Sequence, residues 1–98
     1  NQYAKSGMYW VAVGLTKSDY QSQEALTVLT QLLPGLKSHN KHCAALLDAG
    51  MIHLERGECG AAENHLIEAG KICGDDRAAN NRTLPQTRLK ELKRRCAP

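Results

Sequence analysis

Apolar residues recur at helical spacing along most of the chain, and polar, Gly- and Pro-containing breaks separate the apolar stretches. The apolar stretches span residues 8–15, 25–33, 43–54, 61–73 and 84–96. The breaks fall at 17–19, 34–40, 57–60 and 74–83. No run of β-branched residues alternates strictly with polar ones, as a half-buried strand would require. The pattern predicts an all-α protein of five helices joined by short connections.

Several residues at the ends of these stretches suit helix termini. Asp19 and Ser38 are predicted N-caps, and Gly57 is a predicted C-cap. Pro85 stands at a predicted first-turn position of the fifth helix, where its missing N–H costs nothing. That helix has only a thin apolar edge, Leu89 and Leu92, beneath a basic face.

Small residues repeat through the first four stretches with a nearly constant period. Gly14 and Gly50 are 36 residues apart, and Ala25 and Ala62 are 37 residues apart. Periods of this length are typical of stacked helical hairpins. Small residues at Gly50 and Ala62 would let two helices approach closely, with Leu66 filling the space beside them.

The second of these hairpins resembles the tetratricopeptide repeat (TPR), and the first is a degenerate version of it. The predicted repeat-packing residues are Trp10, Gly14, Ala25, Leu29, Gly50, Gly57, Ala62, Leu66 and Ala69. The resemblance implies one domain, 1–98, with two stacked TPR-like hairpins at about 3–37 and 38–75 and a C-terminal basic helix at about 84–96. An unrelated helical bundle, which also buries small residues where helices cross, is the alternative fold.

A narrower resemblance is to the small TPR-like chaperones of bacterial type III secretion. It is carried by Val11-Ala12-Val13-Gly14, by Gln23-Glu24-Ala25 and by the Gly-rich turn before Ala61-Ala62. It implies a cytoplasmic, virulence-associated chaperone that sequesters an apolar helix of the needle subunit together with a small helical co-chaperone. The alternative is a TPR scaffold or adaptor fragment of a larger protein that binds a peptide or helix.

In a TPR hairpin the first helix lines the concave face, so the resemblance also implies a partner-binding groove. Its predicted residues are Met8, Val11, Leu15, Ala44, Leu47, Met51, Leu54 and Glu55. Nearly all are apolar, which favours an amphipathic partner helix. For each of them, packing in the core against a neighbouring helix is the alternative. Two hairpins bury little surface on their own, which favours stabilisation by a protein partner.

Charge is distributed unevenly along the chain. Residues 1–76 contain six Lys/Arg against nine Asp/Glu, whereas residues 77–98 contain seven against one. The aromatic residues that a nucleic-acid stacking surface would need lie at the opposite end, between 3 and 20, so no nucleic-acid partner is expected. No charge-free stretch approaches the roughly 20 residues of a membrane-spanning helix, and the chain opens without a signal-peptide pattern. We therefore expect no membrane insertion and a cytoplasmic location.

The residues capable of chemistry do not form a familiar catalytic or metal-binding motif. The four cysteines are expected as reduced thiols, although their even number allows disulfides. His39, His42 and Cys43 are not accompanied by the Cys-x2-Cys pair of a structural zinc site. His42 and Cys43 are adjacent on a predicted helix, so their side chains point apart and do not form a catalytic pair. No phosphate-binding loop or hydrolase motif occurs. The sequence thus predicts a non-enzymatic protein with no catalytic residues, no cofactor and no metal.

Overall fold

The computed structural model describes residues 2–37, 39–75 and 79–97. Within these ranges the backbone forms five α-helices and no strand, which confirms the all-α prediction. The helices are α1 (Gln2–Ser18), α2 (Gln23–Leu32), α3 (His42–Glu55), α4 (Cys59–Ile72) and α5 (Ala79–Cys96). Short 3-10 turns, Leu33–Leu36 and Cys73–Asp75, extend α2 and α4.

Helices that follow each other in the chain pack together. α1 packs against α2, α3 against α4, and α5 against both α4 and α3. Contacts between α2 and α3 join the two pairs, so α3 and α4 lie between the first pair and α5. The assembly measures 43 × 28 × 20 Å. The specific TPR arrangement of these helix pairs stays a prediction.

The buried apolar residues form two clusters, and α3 contributes to both. The first cluster joins α1, α2 and α3 through residues such as Tyr9, Leu29 and Ile52. The second joins α3, α4 and α5 and includes Leu66 and Leu92. Because α3 is buried on two sides, its apolar residues spread around most of its circumference instead of forming one stripe.

Helices α3 and α4 come close together at Gly50. A Cβ atom at this position would lie only 2.9 Å from both Cγ and Cδ2 of Leu66. Ala62 and Ala25 are fully buried, as is Leu66. Glycine at position 50 therefore allows α4 to place a bulky leucine directly against the α3 backbone.

The helix ends differ from prediction at two of the four positions. Ser22, and not Asp19, caps α2: its hydroxyl accepts a hydrogen bond from the Ala25 N–H at 3.0 Å. The Asp19 carboxylate instead accepts from the Gln21 N–H, which forms a turn before the cap. Gly57 follows α3 with φ = 78°, a left-handed conformation that suits glycine and ends the helix as predicted. The predicted cap Ser38 lies outside the described residues.

The prediction for Pro85 is wrong, because α5 begins earlier, at Ala79. Pro85 therefore lies inside the helix, where its ring removes one backbone hydrogen bond. The ring is fully buried, and its Cβ would lie 3.8 Å from a Cβ atom placed at Gly70. Burial of the ring against α4 provides a contact that partly offsets the missing bond.

The expectation of reduced thiols is also wrong. Cys43 is joined to Cys73, and Cys59 is joined to Cys96. The first disulfide connects the start of α3 to the end of α4, and the second connects the start of α4 to the end of α5. Cys43 and Cys73 do lie buried in helical positions, but two cysteines facing each other across a helix pair can also form a covalent link. Together the two disulfides link α3, α4 and α5, and neither includes a residue of α1 or α2.

Candidate functional site

A cleft of about 540 Å³ opens between α1, α3 and α5. It is lined by Thr16, Tyr20, Asp48, Met51, Ile52, Glu55 and Arg88. Four of these residues belong to α3, and their spacing places them on one face over two helical turns. The cleft therefore combines apolar surface with carboxylates, an aromatic ring and a guanidinium group.

Asp48 is the lining residue with the most unusual environment. It is partly buried, and its Oδ2 accepts a hydrogen bond from the Tyr9 hydroxyl at 3.0 Å. Burial raises the pKa of the Asp48 carboxyl, an effect that the Tyr9 hydrogen bond opposes only in part. The pKa of Tyr9 is raised as well, by burial and by the nearby carboxylate, so its hydroxyl remains a proton donor.

An ion-pair network connects α3 to α5 at one wall of the cleft. Arg95 forms two contacts with the Glu55 carboxylate, at 2.8 and 3.3 Å. Glu91 lies between Arg95, at 3.5 Å, and Arg88, at 3.1 Å. The hydrogen bond from Arg95 lowers the pKa of Glu55. Two arginines and two glutamates thus neutralise each other along this wall.

The connection between α1 and α2 forms the rim of the cleft at Tyr20, whose side chain is 63% exposed. This connection is held against the end of α3 by two hydrogen bonds. The Gln21 side-chain amide donates to the Glu55 carbonyl at 2.7 Å, and the Arg56 guanidinium donates to the Gln21 carbonyl at 3.0 Å. These two hydrogen bonds therefore hold the connection that carries Tyr20 in a defined position relative to the α3 wall of the cleft.

The predicted groove residues fall into three groups in the structure. Met51 and Glu55 line the cleft. Four residues pack in or against the core. Leu47 and Leu54, 6% and 2% exposed, belong to the cluster of α3, α4 and α5, and Leu15 and Ala44 pack against the first cluster. Met8 and Val11 are exposed on α1, outside the cleft. Core packing, the alternative given for each groove residue, therefore describes four of the eight, and partner binding by this set stays a prediction.

The predicted packing residues of the first repeat also separate. Ala25 and Leu29 are fully buried, and so are Ala62, Leu66 and Ala69 of the second repeat. Trp10 is 55% exposed, however, and the space around Gly14 is open. The Trp10 ring lies edge-to-face against Tyr9, and the Lys41 ammonium lies 5.1 Å from its centroid. Trp10 therefore covers the edge of the first cluster and does not fill its interior.

The lining residues that sequence reasoning missed are Thr16, Tyr20, Asp48, Ile52 and Arg88. One signal was available for Asp48, which is the only acidic residue between Cys43 and Leu54 on a mainly apolar helix. A carboxylate at such a position requires a donor or an opening to solvent. Thr16, Tyr20 and Arg88 come from α1, from the connection after it and from α5, and only the tertiary structure brings them to α3.

The histidine and cysteine residues that lie together in the sequence have other roles in the structure. The buried His39 ring accepts a hydrogen bond at Nδ1 from the Lys41 N–H and lies 3.4 Å from the Ser6 hydroxyl through Nε2. Cys43 is disulfide-bonded. Across 2–37, 39–75 and 79–97, no group of three or more His, Cys, Asp or Glu side chains is arranged to hold a metal ion. The same residues contain no helix that is both long and apolar enough to cross a bilayer.

Comparison with known proteins finds no family model, no curated protein and no solved structure that matches the chain. The resemblances to TPR proteins and to secretion chaperones therefore stay predictions.

Proposed function

We propose that this protein is a non-enzymatic protein-binding module, and that the cleft between α1, α3 and α5 receives a helix or peptide of its partner. The observation that carries the proposal is the cleft itself. Three helices that are not consecutive in the chain form it, and it offers the apolar side chain of Met51 beside polar groups. Amphipathic helices bind by placing apolar side chains into grooves of this kind.

The disulfides favour one version of this function over the other. Secretion chaperones of the type suggested by the sequence act in the cytoplasm, where thiols are generally kept reduced. Two disulfides that link three helices suit an oxidising compartment. We therefore favour the scaffold or adaptor version, in which the module holds a peptide or helix of a partner, over a cytoplasmic needle-subunit chaperone.

Affinity capture with two matched variants tests the proposal. Wild type, Met51→Asp and Ile67→Asp would be used to capture partners from the native host, with mass spectrometry for identification and a binding titration for the partner found. Met51 lines the cleft, whereas Ile67 is an exposed apolar residue on α4, outside the cleft lining. Because Met51→Asp replaces apolar contact surface of the cleft with a charged group that the apolar side chains of a partner helix cannot pair, we expect at least tenfold weaker binding, with Ile67→Asp close to wild type.

The folded state of both variants would be checked by circular dichroism. Equal binding of folded Met51→Asp and wild type would place the partner elsewhere, and a loss confined to Ile67→Asp would assign binding to the surface of α4.

A further inference from the structure

We propose that the cleft recognises a lysine or arginine side chain on the partner helix, and that Asp48 is the residue that binds it. This inference rests on the proposed function and adds the chemistry of the partner. It depends on the position of Asp48, the pairing of the charges around it and the aromatic ring at the rim.

The first observation is that Asp48 carries the unneutralised charge of the cleft. The other charged lining residues, Glu55 and Arg88, belong to the neutral network with Arg95 and Glu91. Asp48 accepts a hydrogen bond from the uncharged Tyr9 hydroxyl, and no Lys, Arg or His of the described residues lies within 4.0 Å of it. A cation entering the cleft would therefore meet a carboxylate that has lost part of its hydration without gaining a counter-charge.

The second observation concerns the surroundings of that carboxylate. Tyr20 at the rim offers an exposed aromatic face, on which a guanidinium or ammonium group can stack. Met51, on the next turn of α3 after Asp48, lines the cleft and suits the aliphatic stem of a lysine or arginine. A long basic side chain matches all three features, whereas an acidic side chain would be repelled by Asp48.

The charge of α5 decides between a foreign partner and a second copy of this chain. Residues 82–95 of α5 contain six Lys/Arg and one Glu, and this helix forms a wall of the cleft. Only one cation of a second copy's basic helix could pair with Asp48, and its remaining Lys and Arg side chains would be repelled by the basic residues of α5. A mainly apolar partner helix with a single basic residue avoids this repulsion, and we assign the cleft to such a partner.

The two methionines of the chain provide a direct test. Met51 lines the cleft and Met8 is exposed on α1, so methyl-labelled protein gives one signal for the site and one internal control. The probe is a short helical peptide of Ala, Leu and Gln with a single central arginine. The matched probe carries citrulline, which has nearly the same shape as arginine and no charge.

We expect the arginine peptide to shift the Met51 methyl signal in a saturable manner and to leave Met8 in place. The citrulline peptide should bind about tenfold more weakly, because it loses the charge-assisted hydrogen bond to Asp48. Asp48→Asn should reduce arginine-peptide affinity by a similar factor, while Glu63→Gln, an exposed change on α4, should have no effect.

Lowering the pH gives a second measurement that requires no substitution. Arginine-peptide affinity should fall as Asp48 becomes protonated, and citrulline-peptide affinity should stay nearly constant. The groups that surround Asp48 are Tyr9 and Tyr20 from the α1 side, Glu55 on α3 and Arg88 on α5. The hydrogen bond from Arg95 lowers the pKa of Glu55, whereas burial raises the pKa of Asp48. The citrulline peptide measures any effect of groups other than Asp48 on binding.

Failure of cation recognition and failure of the cleft as a binding site give different results in these experiments. Equal affinity for the two peptides, or unchanged affinity of folded Asp48→Asn, would overturn cation recognition and leave the proposed protein-binding function standing. Failure of both peptides to move Met51 would count against the cleft as a binding site and so against both proposals. Self-association that disappears in Asp48→Asn, measured by light scattering, would assign the cleft to a second copy and overturn the foreign partner.

Discussion

At the scale of single residues, Gly50 and Asp48 differ in how far local spacing determines their surroundings. Gly50 stands in a spaced pattern with Ala62 and Leu66, and this pattern is sufficient to predict a close approach of two helices. Asp48 has no such pattern, because the group that satisfies it, Tyr9, is 39 residues away in the chain. Local spacing predicts contacts between neighbouring helices, whereas the partner of an isolated polar residue depends on the tertiary structure.

Gly50→Ala should destabilise the protein even though alanine favours helices. The new Cβ would lie 2.9 Å from Cγ and Cδ2 of Leu66, so the two helices must separate or the leucine must move. We expect a net loss of about 1–3 kcal/mol in the free energy of unfolding, since overpacking exceeds the gain of roughly 1 kcal/mol in helix propensity.

Gly14→Ala is the matched control for this prediction. The space around Gly14 is open and the residue is inside α1, so the same change should raise the free energy of unfolding by up to about 1 kcal/mol. Urea denaturation of both variants measures the two effects. Gly50→Ala as stable as Gly14→Ala would show that α3 and α4 are less closely packed at this point.

Asp48 should make stability depend on pH in the direction opposite to an ordinary salt-bridged carboxylate. Its pKa in the folded protein is raised by burial, so the folded state binds a proton more tightly than the unfolded chain does. The ionised form therefore destabilises the fold above the folded pKa, and this penalty is relieved as the pH falls through it. Asp48→Asn should accordingly be more stable than wild type at neutral pH, with a difference that shrinks in acid.

Thermal melts of both proteins between neutral pH and pH of about 3, below the ordinary Asp value, measure this difference. Glu55 and Glu58 have lowered pKa values, and the stability that they contribute is lost as the pH falls through them. Because both glutamates are present in both proteins, their effects cancel in the comparison. A difference that grows in acid would contradict the assigned environment of Asp48.

At the scale of secondary-structure elements, the existence of the five helices follows from the apolar spacing, but the start of α5 does not. Pro85 signals a first turn when read locally. In the structure the helix extends six residues before it, because burial of the ring against α4 compensates for the missing hydrogen bond. The burial of α3 on two faces could not be predicted from its sequence either, because a helix that is buried on both sides has no single apolar stripe.

The attachment of α5 depends more on the Cys59–Cys96 disulfide than on its ion pairs. Arg95 and Glu55 are both partly exposed, and water and salt screen such a pair so that it contributes little to stability. The disulfide closes a separation of 37 residues, which corresponds to about 4 kcal/mol in the chain-entropy description. We expect Arg95→Gln to change the free energy of unfolding only slightly and Cys59→Ser with Cys96→Ser to lower it several-fold more.

Hydrogen exchange read at the amides of α5 distinguishes local from global loss. The cysteine variant should exchange faster in the last turns of α5 first, while the arginine variant should resemble wild type. Equal effects of the two changes would show that the ion-pair network, and not the covalent link, holds this helix.

At the scale of the whole molecule, the covalent links divide the fold into two unequal parts. The two disulfides together link α3, α4 and α5. No disulfide reaches α1 or α2, and within the described residues these two helices are held against the rest by noncovalent packing. The cleft lies across the boundary between these parts, since α1 provides Thr16 and α3 provides Asp48. Small movements of the first helix pair would therefore change the width of the cleft without disturbing the linked part.

The order of the cysteines also has a consequence for how the chain matures. The native disulfides interleave, because they join Cys43 to Cys73 and Cys59 to Cys96. The two cysteines that are closest in the sequence, Cys59 and Cys73, therefore belong to different disulfides. In an unfolded chain the 14-residue separation between those two closes roughly three- to fourfold more often than either native separation. Early oxidation thus favours a wrong pair that must be exchanged, and efficient production of the native protein calls for a disulfide isomerase or for helix formation before the thiols are oxidised.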